Sequence, residues 1–242
     1  MSTTQTIRTI LAHEPNAVQV FERFRIDLCS QADQSLEQAC RELQLSCDQV
    51  IEKLDEARVA GLHPSVLDPS GWTLTRLIQH IVRIYHRNVR RELPQLIQMS
   101  QKIASKRGGR APELKQMVDL SNQLLDREIA HLHKEEQELF PVIARMDDEL
   151  DVMRPQPDSC LGVVSSSIGL MGQDHEATLG TLRRIRGLAN DFSAPDWACL
   201  THHALFQRWR DFEKDMRQHI HLENDHLFPR ALQRGRELSF GR

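Results

Sequence analysis

Apolar side chains recur along this chain at steps of three and four, and nowhere with the period of two that marks a half-buried strand. After Thr73, a candidate N-cap, they fall at Leu74, Leu77, Ile78, Ile81, Val82 and Tyr85, one face of a helix. Pro94 is expected to end or bend that helix, with continuation to about Ile103. A second stretch opens near Pro112, a good first-turn residue, and carries Met117, Leu120, Leu124 and Leu139. The third is a seam of Val164, Ile168, Met171, Thr178, Leu182 and Ile185, and the fourth reads Leu205, Trp209, Phe212, Met216 and Leu227. Proline-bearing loops are expected at 154–158 and 194–196. Four amphipathic helices with polar connections predict an all-α four-helix bundle.

Ahead of the bundle, residues 16–58 read as three short helices, broken near Cys29-Ser30-Gln31 and Leu45-Ser46. Gly61-Leu62-His63-Pro64 and Asp68-Pro69-Ser70-Gly71 then punctuate the chain. The expected organisation is a small helical N-terminal domain over 1–60, a linker over 61–72 and the bundle over 73–236.

Composition narrows the class. Of 242 residues, 40% are hydrophobic and 27% charged, enough to bury a core, and the net charge of −3 gives no electrostatic reason to expect nucleic acid or an anionic membrane as partner. No run of about 18 apolar residues predicts a membrane span. Residues 1–10 lack the basic-then-apolar pattern of a secretory leader. The five cysteines, Cys29, Cys40, Cys47, Cys160 and Cys199, show no C-x-x-C spacing and suit reduced thiols. Cytoplasm is the expected compartment.

The candidate chemistry interrupts the apolar seams. The pattern H-x-H-x-E-x-x-x-L-F-P occurs at 131–141 and again at 219–229, 88 residues later. Each copy has a histidine upstream at nearly the same remove: His86 is 45 residues before His131, and His175 is 44 before His219. On a helix, positions i and i+4 differ by about 40° around the axis and about 6 Å along it. His131 with Glu135, and His219 with Glu223, can therefore each face one centre, with His86 and His175 approaching from the other two helices. A lone histidine on an apolar stripe is usually an ordinary core or rim residue, and H-x-x-x-E alone is common on charged helices. Two copies with matched upstream histidines are not. Burying four imidazoles and two carboxylates without a cation would cost several kcal/mol for each charge. Imidazole and carboxylate without thiolate favour a pair of irons over structural zinc, with Glu135 and Glu223 shared between them; manganese suits the same donors.

Neighbouring residues read more plainly. His133 and His221, at i+2, turn about 200° away from the ligand face. Glu136 reads as a solvated neighbour. Glu128, on the seam below His131, suits either a partner to a ligand imidazole or a surface carboxylate, and Asp174 beside His175 is open in the same way. Leu139-Phe140 and Leu227-Phe228 are expected to plug the bundle end beyond the metals, with Pro141 and Pro229 bending or stiffening the chain there.

At these residues the chain resembles the hemerythrin-like HHE cation-binding family, and within it the repair-of-iron-centres (RIC) di-iron proteins. The shared signatures are L-I-Q-H-I-V-R-I-Y-H (77–86), H-L-H-K-E-E-Q-E-L-F-P (131–141), D-H-E (174–176) and H-I-H-L-E-N-D-H-L-F-P-R-A-L (219–232). V-F-E-R-F-R-I-D-L-C (20–29) and L-E-Q-A-C (36–40) are similar to that family's small leading domain, so the resemblance spans most of the chain. It implies a non-haem di-iron centre, bridged by oxide and carboxylate, on His86, His131, Glu135, His175, His219 and Glu223. It also implies a role in restoring iron–sulfur clusters after nitrosative or oxidative damage, by iron donation, by reduction of nitric oxide, or both. The implied partners are damaged iron–sulfur proteins or other iron acceptors, with nitric oxide or dioxygen as small ligands. The alternative is a sensor or carrier of nitric oxide or dioxygen, although the matched halves lack the extra histidine that makes the two irons of oxygen carriers unequal. Such proteins typically have Cys-Cys-Gly-Gly in the leading domain. Here the stretch is Cys29-Ser30-Gln31-Ala32, which leaves Cys29 as a single candidate thiol.

Overall fold

The computed structural model describes the chain apart from residues 1–2, 15–16, 27, 29–30, 62–68, 108, 110–111, 148–157 and 241–242. Cys29, most of the expected linker and most of the expected 154–158 loop lie outside the described residues. The described residues form helices and no strand; Thr6 and Ser35 make an isolated antiparallel bridge.

Among the described residues, four short helices lead the chain: α1 (Ile7–His13), α2 (Ala17–Arg23), α3 (Leu36–Glu42) and α4 (Cys47–Gly61). The first adds to the three expected. Thr6 starts it by accepting the Thr9 N–H, and seven residues are too few to show a period in sequence. A capping box of Ser35 and Gln38 starts α3, a device worth about 1 kcal/mol. The break at Leu45-Ser46 follows Gln44, whose φ of 53° is left-handed and stops α3 from continuing.

The bundle helices are longer, and three of them contain a wide π-turn. Helix α5 runs Leu74–Ile81, turns through Val82–His86 and continues as Arg87–Arg107. Helix α6 runs Glu113–Lys134, turns through Glu135–Leu139 and ends as Phe140–Arg145; α7 is Asp158–Leu188; α8 runs Leu200–His221, turns through Leu222–Leu227 and ends as Phe228–Phe240. Thr73 caps α5 as expected, accepting the Arg76 N–H. Pro94 does not end that helix. It lies on the exposed face with Arg90, so water can satisfy the carbonyl that proline leaves unpaired. Pro141 and Pro229 each sit second in the α-segment that follows a π-turn. In both turns a phenylalanine N–H reaches back five residues, Phe140 to Glu135 and Phe228 to Glu223. Proline has no N–H to lose, and the wider turn re-aims the side chains beside it.

Among the described residues, the buried apolar side chains form two clusters. One joins the leading helices to one end of the bundle, with Phe21, Leu36 and Leu54 packed in the same cluster as Leu93, Met117 and Trp209. The other closes the opposite end with Leu77, Ile81, Phe140, Met171, Leu227 and Phe228. Each bundle helix passes from one cluster to the other across a polar residue of the repeat. His86 separates Tyr85 from Val89, Glu135 separates Leu132 from Leu139, His175 separates Met171 from Leu182, and His219 separates Met216 from Leu222. The order of clusters alternates from helix to helix, which makes the bundle up-down-up-down and sets the polar residues in one layer across its middle. Nearer the leading helices, buried Arg208 of α8 donates to Glu92 at 2.6 Å and Gln95 at 2.9 Å, tying α8 to α5.

Candidate metal centre

The polar layer gathers His86 from α5, His131 and Glu135 from α6, His175 from α7, and His219 and Glu223 from α8, none more than 3% exposed. Their donor atoms form two groups, each with all atoms within 4.8 Å of one another: His86, His219, Glu135 and Glu223, and His131, His175, Glu135 and Glu223. The two carboxylates belong to both. Glu135 turns Oε1 to His131 Nε2 at 3.3 Å and Oε2 to His86 Nε2 at 3.4 Å. Glu223 turns Oε1 to His219 Nε2 at 2.9 Å and Oε2 to His175 Nε2 at 3.1 Å. Each half of the repeat thus lends one histidine to each group.

The donor atoms are arranged for a cation. Nε2 of His86 lies 3.1 Å from Nε2 of His219, and Nε2 of His131 lies 3.1 Å from Nε2 of His175. Both oxygens of Glu135 and Oε2 of Glu223 are buried without a hydrogen bond. A carboxylate taken out of water without donors costs several kcal/mol, and cations at the focus of these groups would remove that penalty. All donors are nitrogen or oxygen, which fits non-haem iron.

In the metal-free chain, protons take the cation's part. Burial alone would lower the imidazoles of His86 and His131. The carboxylates outweigh it, Glu136, Glu223 and Glu135 for His86 and chiefly Glu135 and Glu223 for His131, and hold both at about 9. His175 is also raised: burial lowers it, but Glu223 overrides. Burial likewise favours a neutral Glu223, yet the imidazoles of His219, His175 and His86 around it carry it well below the ordinary carboxylate range. A metal ion entering here displaces protons.

Behind the ligand face the four rings have different partners. His86 Nδ1 donates to Glu136 at 2.7 Å, and Arg90 reaches the same oxygen at 2.8 Å. Glu136 is therefore not the solvated neighbour that spacing suggested; the π-turn beginning at Glu135 brings it against α5. His175 Nδ1 donates to Asn224 Oδ1 at 2.9 Å. Asp174 Oδ2 stands 3.5 Å from His131 Nδ1, while His219 Nδ1 has no hydrogen-bond partner and its ring stacks on Tyr85 at 5.8 Å. Phe140 stacks on His86 and Phe228 on His175. Glu128 is buried but accepts from the Thr178 hydroxyl. His133 is exposed, and His221, also exposed, pairs with Asp225 at 2.6 Å. Asn224 escaped sequence reasoning although a signal existed, since Glu136 and Asn224 each directly follow the shared glutamate in their copy of the repeat.

A buried layer of paired His–Glu groups in an up-down helical bundle is the architecture of a cation-binding family, and the chain belongs to it: the hemerythrin HHE cation binding domain matches residues 77–231. Membership implies a non-haem iron site, and the two buried groups are what could hold the metal. A second family model, described as a domain of unknown function (DUF542), matches residues 3–58. Over almost its full length the chain is similar to the iron-sulfur cluster repair protein YtfE of Yersinia pseudotuberculosis serotype IB (strain PB1/+), with 30% identity over 231 residues, 94% of this chain and 96% of the relative. The protein of the same name from Yersinia pestis (strain Pestoides F) matches with the same identity and coverage. Among the described residues, no helix is long and apolar enough to cross a membrane.

Proposed function

We propose that this chain holds two non-haem irons, one in each His–Glu group, and serves in the cytoplasm to repair damaged iron–sulfur clusters by giving up iron. One observation carries the reading: two fully buried carboxylates each turn one oxygen to each of two histidine pairs. The similarity to repair proteins supports the biological role. When bound, the irons would supply exchangeable ferrous ion and, in reduced form, electrons for a small ligand.

The residues divide the work. Glu135 and Glu223 contribute to both groups, so protonation or displacement of one carboxylate weakens the hold on both positions. Hydrogen bonds at Nδ1 fix the rings of His86 and His175 with Nε2 inward. Tyr85, Phe140 and Phe228 cover ring faces and keep the layer dry. The partners on this reading are iron–sulfur proteins that have lost iron.

A second reading, reduction of nitric oxide, is favoured by those aromatic flanks, which admit a small neutral molecule more readily than an anion. Reversible dioxygen carriage or sensing fits less well, because the two groups have the same donor set.

The test mixes protein loaded with iron-57 with a cluster-depleted iron–sulfur protein and sulfide, and follows the label. Donation requires iron-57 in the rebuilt cluster at a rate above that from free ferrous ion in the presence of a competing chelator. Label that stays put while nitric oxide is turned over to nitrous oxide would replace donation with the second reading.

A further inference from the structure

The repeat that builds the two groups differs at one position behind the ligands. In the first copy the residue after the shared glutamate is Glu136, hydrogen-bonded to its own upstream histidine, His86, at 2.7 Å. In the second copy it is Asn224, hydrogen-bonded in the same way to its own upstream histidine, His175, at 2.9 Å. The halves thus place a carboxylate behind one group and a neutral amide behind the other. A carboxylate behind a ligating imidazole makes the ring a stronger donor; an amide orients it with far less charge.

The other two rings do not restore the balance. His131 has only Asp174, at 3.5 Å and 36% exposed. His219, in the same group as His86, has no hydrogen-bond acceptor at Nδ1, and its ring is covered by that of Tyr85. Glu136 is nearer its histidine and only 21% exposed, and Arg90 anchors it from a solvent-screened position. Surroundings point the same way. Asn224 is exposed and lines a cleft of ≈ 450 Å³ between α7 and α8, together with Ile168, Gly172 and the Phe228 that stacks on His175. A β-carbon at Gly172 would meet nothing within 4 Å, so the cleft is open at that point.

We infer that the two metal positions are unequal: Glu136 is a positioning residue that makes the His86–His219 group the retaining position, and the His131–His175 group, backed by Asn224 and bordered by the cleft, is the position from which iron leaves. The inference rests on the two-iron reading above and deepens it by naming the donor position. Iron held there would pass as ferrous ion, with no change of oxidation state, to a ligand on the cleft side. His131 and His175 would then be empty, while His86 and His219 would keep their cation.

The experiment follows release of iron-57 from the full-length reduced protein to a bipyridyl-type ferrous chelator, with Mössbauer spectra of the half-depleted sample. The wild type should release iron in two phases of one ion each, and the first phase should remove one of two quadrupole doublets. Asn224→Asp keeps the shape and adds the missing charge, so it should slow the first phase by about 10-fold, within the range that outer hydrogen-bond partners command. Asn224→Ala should accelerate the first phase, whereas a mere packing role would move both variants in one direction. Glu136→Gln should accelerate the second phase by about 10-fold and leave the first unchanged. Should Glu136→Gln fail to fold, the two variants of exposed Asn224 decide the matter. Two irons per chain with phases that these substitutions do not move selectively would overturn the inference and leave the di-iron reading standing. Fewer than two irons in the wild type would overturn both.

Discussion

Replacing Glu223 by glutamine and replacing His86 by alanine each remove one protein donor, yet the first should cost more iron. Glu223 stands 2.9 Å from His219 Nε2 and 3.1 Å from His175 Nε2 through different oxygens, so it serves both groups; His86 serves one. Loss of an outer hydrogen-bond partner already costs 10–100-fold in metal affinity. Loss of a direct donor should reach at least the upper end, about 100-fold, or about 3 kcal/mol per position. In Glu223→Gln the amide nitrogen cannot ligate and the amide oxygen carries no charge, so both positions are weakened; His86→Ala weakens one. The assay is iron per chain after dialysis against a fixed chelator concentration. It is run at one pH for both variants, and the glutamine keeps the carboxylate's shape. The expected contents are about one iron for His86→Ala and well below one for Glu223→Gln. The stabilisation that metal lends to unfolding should shrink in the same order. Equal iron content in the two variants would refute the sharing of Glu223.

Other consequences can be checked separately. In the metal-free chain His86 and His131 are held at about 9 against an ordinary 6.5, so the folded state binds these protons more tightly than the unfolded. That contribution, roughly 3 kcal/mol for one such group, is complete below about pH 6.5 and is lost as the pH rises through 9. Urea midpoints of metal-free protein should fall over that range, while iron uptake strengthens over it; a flat midpoint would mean neutral imidazoles throughout. Arg208→Met should destabilise the fold by about 1–3 kcal/mol in urea titrations, because Glu92 loses its 2.6 Å partner and keeps Arg91 alone at 2.9 Å, with iron per folded chain unchanged. A loss under 1 kcal/mol would show that Glu92 finds water. Cys29→Ser should leave iron content at the wild-type value, since neither donor group contains a thiolate; iron loss there would bring the leading helices into the site.

Much of the bundle was legible because its signals are periodic. Four stretches of 3–4 spacing mark the long helices, and the repeated His-x-x-x-Glu with matched upstream histidines singles out the six side chains that the structure brings together. The repeat is informative because coincidence at one copy is cheap and at two is not. What escaped follows from geometry that spacing does not encode. A π-turn leaves no trace in a pattern of threes and fours, yet three of them bracket the polar layer, and one carries Glu136 from an apparently solvated position to His86. Asn224 could have been found from its place in the repeat, directly after the shared glutamate as Glu136 is. Arg208 reads as an ordinary charged residue between Leu205 and Trp209, and only the packing of α8 on α5 makes it a buried partner of Glu92. Helix α1 is set by a single threonine cap, too local for any periodicity. Pro94 stays inside α5 because its face is exposed, a tertiary fact.

The central claim, two irons sharing Glu135 and Glu223, is met most directly by metal analysis joined to Mössbauer spectroscopy of protein grown on iron-57. Two irons per chain whose oxidised form is diamagnetic, through coupling across shared ligands, are expected. One iron, two uncoupled irons, manganese or a single zinc would contradict it.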